Sequence, residues 1–198
     1  MVLTASTMRA LGTKMPEFSL PDVVTGQIVS AHTFAHKDAL LVMFICRHCP
    51  FVKHIEEELA RLGRDLADSG VALVAIGSND PSTHPDDSPA GLAHQARAAG
   101  FTFPYLFDET QEVAQAFTAA CTPDFFLFDG ERHLFYRGQL DGSRPGNGQP
   151  VDGRDLRDAI VAVLAGAAAP ASQKASIGCN IKWKAGHAPA YFTGQSAG

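Results

Sequence analysis

Hydrophobic positions along the chain fall into two kinds of pattern, and their order predicts the architecture. Ala39 to Cys46 is an unbroken apolar run, as expected of a strand buried on both faces of a sheet. Immediately after it, Val52, Ile55, Leu59, Leu62 and Leu66 recur at alternating spacings of three and four, one face of an amphipathic helix. Ser69-Gly70 ends that helix, and Val71 to Gly77 is a second buried strand. The first unit is therefore β-α-β. Asn79 to Pro89 reads as a turn-rich loop, Ala90 to Ala99 as a helix, Tyr105 to Phe107 as a short strand and Gln111 to Ala119 as another helix. Phe125–Phe128 and Leu134–Arg137 flank Asp129-Gly130, a hairpin signal. A last helix runs from near Asp152 or Gly153 through Leu156–Leu164 and stops at Gly166.

The two ends are less regular. Residues 1–38 read as an extended arm with a small hairpin, about Phe18–Leu20 and Gln27–Ser30. Residues 167–198 read as a tail packed on a domain spanning 1–166. Composition changes this picture little. With 198 residues, 45% of them hydrophobic, the chain can build a substantial core without staples. A formal charge of −5 and the lack of any Lys/Arg-rich run argue against nucleic-acid partners and an anionic-membrane anchor. No apolar run approaches a membrane span, and Met1 to Phe18 has no continuous apolar segment like that of a secretory signal, so the expected location is cytoplasmic.

Candidate chemistry centres on Cys46-Arg47-His48-Cys49, at the first strand–helix junction. Thiol–disulfide exchange needs one ionised, exposed thiol and a second within reach. A helix N-terminus favours a thiolate, and Cys49, one turn on, can close or resolve a disulfide with Cys46. Arg47 and His48 are expected to tune the Cys46 thiolate, making the couple more oxidising than a strong reductant. A zinc-binding Cys-x-x-Cys is the competing reading. It needs further paired ligands, which Cys121, Cys179 and the scattered histidines do not offer, so no metal site is expected. His54 reads as a helix-face histidine.

Thr122-Pro123 leads directly into the strand Asp124–Phe128. A strand ending in Cys-x-x-Cys-Pro and a helix, then Thr-Pro, a hairpin and a terminal helix, resembles the thioredoxin superfamily. The opening Lys14-Met15-Pro16-Glu17-Phe18-Ser19-Leu20-Pro21-Asp22 is similar to its AhpC/TSA-type (redoxin) branch. The resemblance spans about residues 12–166. It implies an α/β thioredoxin-like fold, a central mixed sheet flanked by helices, with an N-terminal hairpin and a C-terminal tail. It also implies Cys46 as attacking thiol, Cys49 as resolving thiol, Pro123 as a cis-proline facing the site, and Thr122 as a backbone partner for a substrate strand. Partners would be protein thiol or disulfide clients and a redox partner protein. No bound cofactor is expected, because the cysteines carry the electrons.

Departures from the family pattern are specific. Ile45 stands where thioredoxins have Trp, and Leu40 where they have a buried Asp, so no proton acceptor for Cys49 is identifiable. The peroxiredoxin pattern Pro-x-x-x-Thr-x-x-Cys would need Thr and Pro at Met43 and Ala39, or at Cys46 and Val42. Thiol peroxidase is accordingly the alternative to disulfide exchange, and a non-catalytic redox sensor the third reading. Cys121 and Cys179 are candidates for a second disulfide pinning the tail beside the site; the competing reading is two small buried hydrophobes. Trp183 and Tyr191-Phe192 are expected to cover an apolar patch.

Overall fold

The computed structural model describes residues 3–192. Its centre is a five-stranded mixed sheet in the order β6-β5-β4-β8-β9. These strands are β4 (Ala39–Phe44), β5 (Val71–Gly77), β6 (Tyr105–Phe107), β8 (Asp124–Phe128) and β9 (Leu134–Gly138). β4, β5 and β6 are parallel, while β8 runs antiparallel to β4 and β9 antiparallel to β8. Every residue of β4 and β5 is buried, which explains why those segments are apolar throughout rather than alternating.

The faces of β4 divide the core. Leu41, Met43 and Ile45 pack with Val52, Ile55, Leu59 and Leu62 of α1 (Pro50–Asp65), Leu92 and Ala96 of α2 (Pro89–Ala99), and Leu156 and Ile160 of α4 (Arg154–Leu164). Leu40, Val42 and Phe44 face the other way, toward Phe18, Phe34, Phe126, Phe128 and Phe117 of α3 (Glu112–Phe117). Phe117 sits edge-on to Phe44, Phe126 and Phe128, with centroids 5.5 to 5.9 Å apart, a favourable aromatic geometry. The N-terminal hairpin is β2 (Ser19–Pro21) with β3 (Ile28–Ser30).

The ends of the chain depart from expectation. Leu3–Ala5 forms a strand, β1, and Ile177–Asn180 forms another, β10. With β7 (Cys121–Thr122) they make a second sheet, in the order β1-β10-β7. The arm and the tail are thus joined to each other across the short segment that precedes Pro123. Beyond β10 the chain stays fastened: Ile181 N–H donates to Ala120 O (3.1 Å), Lys182 N–H to Asn79 Oδ1 (2.8 Å) and Lys184 N–H to Gln111 Oε1 (2.8 Å). Trp183 packs against the Phe117 side of the core, and the Tyr191 hydroxyl donates to Ala119 O (3.0 Å). Residues 193–198 lie outside the described part. No helix among the described residues is long and apolar enough to cross a membrane.

Candidate active site

β4 ends at Phe44 and α1 begins at Pro50, so the Cys46–Cys49 loop closes the edge between sheet and helix. Cys49 is the N-cap of α1, and Pro50 occupies the first helical position, where its missing N–H costs nothing. Facing the loop is β7, whose Thr122–Pro123 peptide bond is cis. Cys46 Sγ lies 3.3 Å from Thr122 Oγ1, and Cys49 Sγ lies 3.2 Å from Thr122 O. Both sulfurs thus touch the same residue, Thr122, from the two ends of the Cys-x-x-Cys loop. Five of the residues singled out from sequence, Cys46, His48, Cys49, Thr122 and Pro123, therefore meet at one place.

The supposed partnership of Cys121 with Cys179 does not occur. Cys179 Sγ lies 3.0 Å from Cys49 Sγ, and all four cysteines are free thiols. Strand register is the reason. Cys179 pairs with Thr122 and Asn180 with Cys121, so the Cys179 side chain shares a face with Thr122 while Cys121 points to the opposite one. Cys121 Sγ instead approaches Pro123 O (3.5 Å) and Ser176 O (4.0 Å), and burial pushes its thiol well above the ordinary range. It behaves as a small buried hydrophobe.

The electrostatics also differ from the sequence expectation of an exposed, ionised Cys46. Residues 46, 49 and 179 are 1%, 0% and 1% exposed. Burial raises the Cys46 thiol, and the hydrogen bond with Cys49 and the charge of Asp87 add to that rise; the Thr122 hydroxyl works the other way. The neighbouring thiols of Cys179 and Cys46 shift Cys49 the other way, down, while its sulfur donates to Cys179 Sγ and to Thr122 O. The Arg47 guanidinium turns to Asp86 (3.4 Å).

Asp87 organises the outer side, and its role was invisible in the sequence. It comes from the proline-rich loop after β5 and is buried, with four donors on its two oxygens. Arg47 N–H (2.8 Å) and His48 N–H (3.1 Å) donate to Oδ1; His48 Nδ1 and Asn79 Nδ2 (2.8 Å) meet Oδ2. Burial alone would raise this carboxyl, but those donors, His48 foremost, hold it below its ordinary value. His48 Nδ1 is also 3.7 Å from Cys46 Sγ. One ring nitrogen thus faces both the thiol and the carboxylate, unlike a relay that uses opposite nitrogens. The His84 ring lies 4.6 Å from that of His48, and burial together with this neighbour lowers its pKa. On the other flank, Gln95 Nε2 reaches the Cys46 carbonyl (3.5 Å) and Glu56 (2.7 Å).

Cys46, His48 and Asp87 offer ligand atoms within 4.8 Å of one another. Those donor types suit a metal, but Asp87 already accepts four hydrogen bonds, which leaves it little capacity for a cation. Beside Pro123, a small cleft with about 20 Å³ of free space is lined by Phe51, Ile55, Leu140 and Ile177 together with the polar Asp141 and Arg144.

A mixed sheet with a Cys-x-x-Cys at the β4–α1 junction opposite a Thr-Pro segment defines a thioredoxin-like protein. The thioredoxin domain of a thiol-disulfide oxidoreductase from Bacteroides vulgatus shares this fold, with a TM-score of 0.58 at 15% identity over 77% of this chain and 98% of that one. The AhpC/TSA family model matches residues 11–137, and the chain belongs to that family. Two solved structures are much more similar. An uncharacterized conserved protein from Geobacillus kaustophilus is 50% identical over 93% of this chain and 97% of that one, with a TM-score of 0.91. A hypothetical protein from Sinorhizobium meliloti is 49% identical over 92% and 100%, also at 0.91. Among curated proteins no relative matches the chain.

Proposed function

We propose that this protein is a thiol–disulfide oxidoreductase acting on protein clients. The observation that carries the reading is that the Cys46 and Cys49 sulfurs, three residues apart at a helix start, both rest on Thr122, next to the cis Pro123. Cys46 as thiolate attacks one sulfur of a client disulfide, and the other client sulfur leaves as thiolate and takes a proton. Cys49 then attacks Cys46 Sγ, the second client sulfur leaves, and the protein holds a Cys46–Cys49 disulfide. Two electrons have passed to the client; reversed, the same steps oxidise a dithiol. Cys46 is cast as the attacking thiol because it adjoins His48, whose side chain is 20% exposed, whereas Cys49 contacts Cys179 and the Thr122 carbonyl, both buried. His48 Nδ1, which donates to Asp87, also lies 3.7 Å from Cys46 Sγ, where its hydrogen can be shared with the Cys46 thiolate.

One observation favours a small oxidant as a second reading. Cys46 is almost fully covered, and β10 already lies along Thr122. A hydroperoxide needs less access than a folded client, so thiol peroxidase activity is the alternative. The test is a redox-buffer titration with differential alkylation read by mass spectrometry, run beside a hydrogen-peroxide-dependent thiol-consumption assay. Disulfide exchange predicts that Cys46 and Cys49 titrate together at a defined potential and that peroxide consumption is slow. Fast peroxide consumption would transfer the assignment to the second reading. Failure of Cys46 and Cys49 to form any disulfide would overturn both.

A further inference from the structure

The geometry points to Cys179 as a third redox thiol, one that exchanges with the Cys46–Cys49 disulfide at Cys49; this rests on the disulfide-exchange reading above. Cys49 Sγ lies 3.0 Å from Cys179 Sγ and 3.2 Å from Thr122 O, while Cys46 Sγ, three residues earlier in the same loop, lies 3.3 Å from Thr122 Oγ1. Residues 130 positions apart in sequence reach this contact through a strand, not a loose tail. β10 is held on one edge by Thr122 and Cys121 and on the other by Leu3, Thr4 and Ala5. At its start Ser176 Oγ donates to Pro123 O (2.6 Å), and Ser176 N–H to Ser6 Oγ (2.9 Å).

Gly178 is the tightest point of this fastening. A Cβ there would stand 2.0 Å from Thr122 O, so only glycine lets β10 approach the segment before Pro123 this closely. The approach places the next residue's sulfur on Cys49. The sulfur of Cys121, on the same short sheet but the opposite face, has no such target. Two buried cysteines of one sheet are therefore treated differently by the fold, and only one is delivered to the redox pair.

The step balances without an external reagent. With Cys46 and Cys49 joined, Cys179 as thiolate attacks Cys49 Sγ. The Cys49–Cys179 bond forms as the Cys46–Cys49 bond breaks. The electron pair leaves on Cys46, which takes up the proton that Cys179 gave up. One disulfide and one thiol exist before and after, so nothing is oxidised or reduced. The result is that Cys46 is returned as a free thiol beside His48 and Thr122 while the disulfide is held between α1 and β10. A protein arranged this way can engage a second thiol or oxidant at Cys46 before its first disulfide is discharged.

The test uses the full-length protein, oxidised by oxidised glutathione or limiting hydrogen peroxide, acid-quenched, alkylated and digested without reduction. The expected result is a Cys49–Cys179 cross-linked peptide with Cys46 alkylated, and the same cross-link as the main product in Cys46→Ser. Cys121→Ser should leave the pattern unchanged, and Cys179→Ser should hold its disulfide only as Cys46–Cys49. If the native protein and Cys46→Ser both leave Cys179 wholly alkylated while Cys46–Cys49 forms normally, the third-thiol role is wrong and the oxidoreductase reading survives. If no disulfide forms among the three, both fall together.

Discussion

The two sides of the Cys-x-x-Cys loop are built from different materials. The outer side is polar: the carboxylate of Asp87 binds the Arg47 and His48 amides, the His48 ring and the Asn79 amide. The inner side is made of sulfur and backbone: Cys49, Cys179 and the Thr122 carbonyl. Both are buried, yet they move charge in opposite directions. Asp87 places a negative charge near Cys46 and opposes its thiolate, whereas neighbouring thiols lower Cys49. A helix N-terminus alone would favour a thiolate at either cysteine. Here the neighbours shift the two thiols in opposite directions, and the sequence motif by itself says nothing about them.

The comparison is broken most severely from the inner side. Cys49→Ser removes the central sulfur, and disulfide turnover should fall by about 1,000-fold or more, because no resolving step remains. The same variant measured with a small-molecule disulfide should still form an adduct at Cys46. Next in size is Gly178→Ala. Forcing a methyl group against Thr122 O should destabilise the fold by about 1–3 kcal/mol in a urea titration and loosen Cys179 toward alkylation.

Asp87→Asn tests the outer side. Losing a carboxylate with four donors should cost about 2 kcal/mol. Its folded pKa is depressed, so its stabilisation is present above the ordinary carboxylate pKa of about 3.9 and lost as pH falls through the folded value. The variant should therefore lose less stability than the wild type on acidification. Because the Asp87 charge raises the Cys46 thiol, Asp87→Asn should also make Cys46 alkylate at lower pH.

The smallest effect is at Asp124, directly after Pro123. It is fully buried, its Oδ1 has no partner, and burial pushes its carboxyl well up. For an acid whose folded pKa is raised, stability is complete below about pH 3.9 and declines as pH rises toward the folded pKa. Asp124→Asn should therefore gain relative to wild type as pH rises, by about 1 kcal/mol, measured as the midpoint of unfolding across pH.

Much of the central sheet was legible because burial on both faces writes itself as an apolar run. β4, β5 and the β8–β9 hairpin fall where the pattern placed them, and α1 follows its stripe from Val52 to Leu62. β1 and β10 were not legible. Leu3-Thr4-Ala5 and Ile177-Gly178-Cys179-Asn180 are too short for a period, and each is specified only by a partner at the far end of the chain. Asp87 was missed for a related reason: a polar residue among prolines reads as a solvated turn until the loop folds back over His48. Cys179 stood out in its Gly-Cys context, but the sequence paired it with Cys121, since nothing in the spacing points to Cys49. Only strand register, which sends adjacent side chains to opposite faces, separates them.

The central claim is that Cys46 is the sulfur that meets the client, and trapping tests it most directly. Cys49→Ser, mixed with a client protein carrying an accessible disulfide, is quenched in acid, alkylated and digested without reduction. The account predicts a stable mixed disulfide on Cys46, with Cys121 and Cys179 recovered as alkylated thiols. A client joined to Cys179, or no mixed disulfide with any client offered, would contradict it.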